Sequence, residues 1–321
     1  MSALNAFREK FNTRPIVVAA LQSPHMLNIW QQSEKWRLYY DLLGDHEGLE
    51  ESRDLEVGRF NPLHVKAQRV AAALVASPLQ METAKKKFPN AKIFWVVHTG
   101  YFLEVFPSEH LDKVDGIVTL TKSVLNIQMD HKPGLGDKKN FIITPYYETQ
   151  PTWRWKENLL WTVRSRAGTR MAPSKDRFEY VMNGVKSRVK GTETKVLFFG
   201  QDSPDGYLDK TGKLRLFENS SAYISALPEN AGFGLAEHEA LSHGVPIVGS
   251  RWGDIDTEVS PEYKALTPSQ DEMIDYAVRL ATDKEFAEEM SELGLEYIRK
   301  YRNKKSMDRQ ITKLVSFLRK N

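Results

Sequence analysis

The sequence predicts an α/β protein made of two halves, each a doubly wound parallel sheet, and three observations carry that expectation. Apolar runs of strand length alternate with segments of helical spacing along the chain. A stretch without periodicity, Tyr146 to Trp155, flanked by Pro145 and holding Pro151, interrupts the alternation and reads as a linker, since proline disfavours helix and imposes extended geometry. The 321 residues suffice for two separate cores, and 41% hydrophobic with 27% charged residues is ordinary for a globular protein.

Taken in order, Pro15 to Leu21 reads as a first buried strand, and Gln22-Ser23-Pro24-His25 breaks it. An aromatic and polar segment with Trp30, Trp36, Tyr39 and Tyr40 follows, then a surface excursion over 44–63. Val65 to Leu74 has helical spacing, with Val75-Ala76-Ser77 as a strand end, and a helix is expected over Met81 to Lys87. Ala91 to Thr99 and Val114 to Thr121 are strands, Lys122 to Met129 is a helix, and Phe141 to Pro145 is the last strand of this half. The second half opens with a strand at Asn158 to Val163 and a helix at Phe178 to Val189, then strands at Lys195 to Gly200 and Ala222 to Leu227. Helices are expected over Met273 to Leu280, Glu285 to Tyr301 and Met307 to Leu318, the last amphipathic through Ile311, Leu314, Val315 and Leu318. No internal sequence repeat is visible.

Residues 229–248 read as phosphate loop, helix and strand in immediate succession. Gly232 and Gly234 permit close backbone approach and positive φ, and a helix opening near Leu235 aims unpaired N–H groups and its positive dipole end at an anion. Gly244 suits a left-handed helix cap, and Val245-Pro246-Ile247-Val248 a buried parallel strand. A diphosphate is the natural guest.

Gly232-Phe233-Gly234-Leu235, Glu239-Ala240, Gly244 and Pro246-Ile247-Val248 resemble the donor-binding signature of GT-B glycosyltransferases, particularly the retaining enzymes of family 4. The resemblance implies a GT-B fold of two Rossmann-like domains facing a central cleft: an N-terminal acceptor-side domain over 1–150, a donor domain over 151–302, and a closing helix over 303–321 that packs back on the first domain. It implies that Glu239 hydrogen-bonds the ribose of a nucleotide sugar. Two carboxylate oxygens suit vicinal hydroxyls. The family's first signature Glu falls at Ala231 here; Glu229 is the nearest upstream acid and is carried as the sugar contact, with Glu237 the alternative in spacing. The N-terminal half resembles the family at Val96-Val97-His98-Thr99, at Val114 to Lys122 and at Ile142 to Pro145, while Gln22-Ser23-Pro24-His25 stands in place of its first Gly-rich loop.

By the same resemblance Arg170 and Lys175, five positions apart after the first strand of the second half, grip the donor pyrophosphate, with Arg166 and Arg164 as rivals for the arginine's place. Negative charge grows on the β-phosphate as the glycosidic bond breaks, so fixed cations there stabilise the transition state more than the ground state. His98 at its strand end is expected near the transferred sugar or the acceptor; His25 is a weaker candidate, and His238 and His243 are read as packing or surface residues. Asp254-Ile255-Asp256 is read as part of the loop ending in Glu258, not as a metal triplet, because no further acid or His is spaced to complete an oxygen cage. No metal site is expected.

The resulting expectation is a retaining, metal-independent glycosyltransferase with a nucleoside-diphosphate sugar as co-substrate, a UDP-sugar first among them, and no tightly bound cofactor. The acceptor stays open between a glycan or small-molecule hydroxyl and a hydroxymethylated pyrimidine in DNA. The DNA option draws on Trp30, Trp36, Tyr39 and Tyr40 beside Lys35 and Arg37, which have the composition of a base-stacking surface, although they equally suit a core. A sugar-nucleotide epimerase and a nucleotide-sugar-binding module without turnover are further alternatives on one scaffold. Net charge is +3, too small to diagnose a nucleic-acid partner; basic residues cluster at 164–195 and 299–305. Cysteine is absent, which excludes disulfides and thiolate chemistry. Without a membrane-spanning run or an apolar signal core, a cytoplasmic setting is expected.

Overall fold

A computed structural model describes residues 14–20, 24–41, 43, 57, 59–63, 65–97, 108–164, 172–200, 204–225, 234–251 and 253–320. The chain divides into two compact units, Met1–Tyr146 with Lys304–Asn321, and Tyr147–Asn303.

In the first unit the strands are β1 (Ile16–Ala19), β2 (Arg37–Tyr40), β3 (Val70–Val75), β4 (Lys92–Val97), β5 (Gly116–Thr119) and β6 (Lys139–Ile142). Helix α1 (Pro24–Trp30) follows β1, α2 (Pro78–Lys87) follows β3 and α3 (Lys122–His131) follows β5. The sheet runs β2-β1-β3-β4-β5-β6 and every pairing is parallel. Central strands covered on both faces read as unbroken apolar runs, and β1 and β5 are buried at every position. Val18, Ala73, Val75, Ile93, Trp95 and Ile117 belong to one buried cluster.

The second unit holds β7 (Arg154–Arg164), α4 (Ala172–Arg188), β8 (Lys195–Gly200), α5 (Lys210–Glu218), β9 (Asn219–Ser225), α6 (Leu235–Ser242), β10 (Ile247–Gly249), α7 (Asp254–Glu258), α8 (Gln270–Thr282) and α9 (Lys284–Tyr301). Its sheet runs β10-β9-β7-β8, again wholly parallel. The closing helix, α10 (Lys304–Lys320), belongs to the first unit, where Phe317 joins Phe94 and Phe141 with ring centroids 6.0 and 5.9 Å away.

Capping side chains set the helix starts. Ser77 accepts the Gln80 N–H at 3.2 Å with Pro78 in the first turn, so α2 begins three residues before Met81. Thr121, Ser269 and Asp283 cap α3, α8 and α9 in the same way.

Three expectations are corrected. Val65 to Leu74 is not helical: a 3₁₀ turn at Ala67–Arg69 leads into β3, because Ala72, Ala73 and Leu74 are buried between β1 and β4, and an apolar run of this length serves either structure until its neighbours decide. The first strand of the second half, expected from Asn158, starts at Arg154 as β7; the preceding 147–153 carry no helix or strand, and there Gln150 N–H donates to the Ser242 carbonyl at 2.7 Å and Trp153 N–H to that of His243 at 3.1 Å. Elements α1, β2, α5 and α7 arise where no element was expected: α1 starts at Pro24 inside the stretch read as a break, and α7 occupies the stretch read as a loop ending in Glu258. Strand β2 is a four-residue edge strand, and α5 is started by Asp209, whose carboxylate accepts the Gly212 N–H at 2.6 Å.

Candidate functional site

Strands β7 and β9 lie side by side, with Leu160 opposite Ala222 and Trp161 opposite Tyr223. From β7 the chain passes through α4 to β8 on one side, and from β9 through α6 to β10 on the other. The strand order therefore reverses between them, and such a switch point is where open parallel sheets bind ligands, at the carboxyl ends of the strands. The chain leaves those ends at Arg164 and Ser225 and re-enters helix at Ala172 and Leu235. Segments 165–171 and 226–233, which carry the basic and glycine-rich motifs, thus start from adjacent strand ends.

Arg166, Arg170, Glu229, Gly232 and Phe233 fall in those two segments and lie outside the described residues, as does His98 after β4. Lys175 lies in the first turn of α4, and its side chain is outside the described set. Gly234, Leu235 and Glu239 are described, and all three belong to α6. Gly234 is its N-cap with φ −75° and ψ 174°, an extended conformation open to any residue and not the positive φ expected of it, and Leu235 is its first residue. Gly244, at φ 86°, ends it as a Schellman motif: Gly244 N–H donates to the Leu241 carbonyl and Val245 N–H to that of Ala240, both at 3.0 Å.

Glu239 sits in the second turn, paired with Lys213 of α5 at 2.7 Å. Lys213 is 29% and Glu239 22% exposed at the side chain, so the pair is shielded but within reach of a ligand. Lys213 was not anticipated, because α5 was not.

Glu237 is no surface acid: it is 2% exposed and accepts the Ser225 hydroxyl at 2.6 Å, tying the end of β9 to the start of α6. Burial pushes its carboxyl up, against hydrogen bonds from Ser225 and from the backbone of Glu237 and Gly234. Glu three residues after the N-cap reaching back to it is the spacing of a capping box, a signal the sequence carried.

His238 and His243 are both buried, which decides for packing over surface. His238 Nδ1 is 2.8 Å from the Gly234 carbonyl, and its Nε2 is 3.0 Å from Arg302 Nε. Arg302, 4% exposed at the side chain, pairs with Glu258 at 2.7 Å. Burial pushes the Glu258 carboxyl up while Arg302 pulls it down. Asp254-Ile255-Asp256 forms the start of α7, with Asp256 3.3 Å from Arg251. In the first unit Trp30, Trp36 and Tyr40 are 0%, 2% and 7% exposed, so they are core and cannot stack on a base as they stand.

No helix among the described residues is long and apolar enough to cross a membrane. No protein-family model and no curated protein sequence matches the chain. Solved structures do. A glycosyltransferase from Rickettsia africae is similar at a TM-score of 0.68 and 14% identity, over 96% of this chain and 100% of that one. HepE from Anabaena, in complex with UDP and glucose, is similar at 0.65 and 10%, over 95% and 100%. TarM from S. aureus, a mutant in complex with fondaparinux, alpha-GlcNAc-glycerol and UDP, is similar at 0.60 and 16%, over 76% of this chain and 56% of TarM, so the chain spans little more than half of that protein. At these identities the likeness is one of fold, and the chain has the α/β fold with parallel sheets of the GT-B glycosyltransferases.

Proposed function

We propose that the chain is a glycosyltransferase that moves a sugar from a nucleoside-diphosphate sugar to an acceptor hydroxyl. The observation that carries this reading is α6, a glycine-capped helix that opens beside the carboxyl end of β9, with the Glu239 carboxylate in its second turn. A helix N-terminus at a switch point favours a diphosphate, and a carboxylate set one turn back favours the hydroxyls of the attached ribose. UDP in the TarM and HepE complexes supports a UDP-sugar as the donor.

In this reading Arg170 and Lys175 neutralise the departing diphosphate, with Arg166 beside them, and these cations take the part a metal would otherwise have. Gly232 to Leu235 meet the phosphates, Glu229 and His98 meet the sugar, and the product retains the anomeric configuration, as in the family-4 enzymes that the signature resembles. The first unit takes the acceptor. The burial of Trp30, Trp36 and Tyr40 weighs against a DNA base and leaves a glycan or small-molecule hydroxyl as the favoured class.

The test is release of nucleoside diphosphate from a panel of nucleotide sugars, without acceptor and then with glycan acceptors or hydroxymethylated duplex DNA. Release stimulated by one acceptor and lost in Glu239→Gln supports the proposal. Conversion of the donor with no acceptor present would mean an epimerase, and binding without turnover a binding module.

A further inference from the structure

The signature helix is steadied from behind by groups that the donor reading leaves unused. The Gly234 carbonyl receives the backbone N–H of His238 at 3.4 Å, a long first-turn bond, and the His238 ring Nδ1 approaches the same oxygen at 2.8 Å. On the far side of the ring, Nε2 lies 3.0 Å from Arg302 Nε and 3.0 Å from the Tyr297 hydroxyl. A guanidinium N–H can only donate, so Nε2 accepts and the ring proton sits on Nδ1, where it donates to Gly234.

The imidazole is 5% exposed and stacks on Tyr147 at 5.5 Å and on Tyr297 at 5.8 Å. Burial, and then the adjacent guanidinium, hold it neutral, well below the usual histidine range. Arg302 in turn is fixed by Glu258 and lies over the Tyr297 ring, 5.0 Å from its centroid. Its carbonyl accepts the Tyr147 N–H at 2.8 Å. Both ring nitrogens are thus satisfied, by partners on three different residues, so polar contacts hold the ring as well as stacking.

We propose that His238, locked as the Nδ1–H tautomer by Arg302, is a positioning residue for the donor turn. It fixes the carbonyl at the mouth of α6, and with it the aim of the N–H groups that meet the diphosphate; this functional half rests on the donor reading above. Arg302 acts through His238 and touches no substrate.

Two substitutions separate positioning from mere packing. His238→Asn keeps a donor near the Nδ1 position and removes the partner of Arg302, whereas His238→Gln keeps a partner for Arg302 and removes the donor to Gly234. UDP binding is measured by calorimetry beside the Tm of each variant. The expected result is UDP affinity about tenfold weaker in His238→Gln and within about threefold of wild type in His238→Asn, even where His238→Asn melts lower. Affinity that follows Tm instead, or that is unchanged in both variants, overturns the proposal. The tautomer is read independently by ¹⁵N NMR of the ring, where a proton on Nε2 also overturns it. A wild-type protein that binds no nucleoside diphosphate sinks the donor reading; amide exchange over residues 235–238 then decides here, faster exchange in His238→Gln supporting positioning and unchanged exchange overturning it.

Discussion

Lys213 Nζ stands 2.7 Å from Glu239 Oε2, joining α5 to α6 through the carboxylate expected to read a ribose. A cation at that distance orients the carboxylate, and a partly exposed pair of this kind contributes about 1 kcal/mol or less to folding. Lys213→Met is therefore expected to leave the denaturant midpoint almost unchanged while weakening UDP binding by about threefold to tenfold. Glu239→Gln loses a charged hydrogen bond to the ligand itself, for which about tenfold to a hundredfold is expected. Titration calorimetry of both variants checks the order, and a Lys213→Met protein that binds UDP as wild type does would reduce the pair to a surface contact.

Gly116 leaves no room for a side chain. A Cβ built there would lie 2.0 Å from the Lys139 carbonyl oxygen, a backbone atom of the neighbouring strand β6. Gly116→Ala should separate β5 from β6 and destabilise the first unit by about 3 kcal/mol. Chemical denaturation followed by tryptophan fluorescence tests this, and a loss well under 1 kcal/mol would contradict the close approach.

Gly244 is required for another reason, its φ of 86° at the end of α6. Gly244→Ala puts a side chain in the left-handed region, at a cost of about 1–2 kcal/mol, and brings its Cβ to 3.2 Å from Ser291 Oγ. The expected Tm loss should fall on the second unit, and an unchanged Tm would count against the cap.

His238 makes stability depend on pH with a definite sign. Its folded-state pKa lies well below the ordinary value of 6.5, so between the two values the unfolded chain binds more protons and stability falls as pH falls. His243, lowered by burial, acts in the same direction. Glu237, raised by burial, opposes them just above 4.5, since there the folded chain holds the proton better. The denaturant midpoint should drop between pH 7 and pH 5, and less steeply in His238→Gln; parallel curves for the two proteins would exclude the buried neutral histidine.

Much of this was legible in residue order. The central strands announced themselves because a parallel sheet covered on both faces leaves runs such as Ile16 to Ala19 and Lys92 to Val97 almost wholly apolar. The left-handed cap at Gly244 was legible because few other residues tolerate that conformation. Val70 to Val75 misled because alanine-rich apolar runs fit helix and strand alike until neighbours choose. Arg302 was invisible as a partner of His238, since 64 residues separate them and only folding brings them together. Lys213 was missed with its helix, although Asp209 three residues before Gly212 carried the start signal.

The closing helix has a consequence for the order in which the protein can be made. The Phe94–Phe141–Phe317 cluster draws on both ends of the chain, and Gln310 completes the edge of the first unit by accepting the Thr144 N–H at 2.8 Å. During synthesis residues 304–320 emerge only after all of Tyr147–Asn303. The first unit to leave the ribosome is thus the last that can be finished, and until then the faces of Phe94 and Phe141 that meet Phe317 stand open to wrong partners.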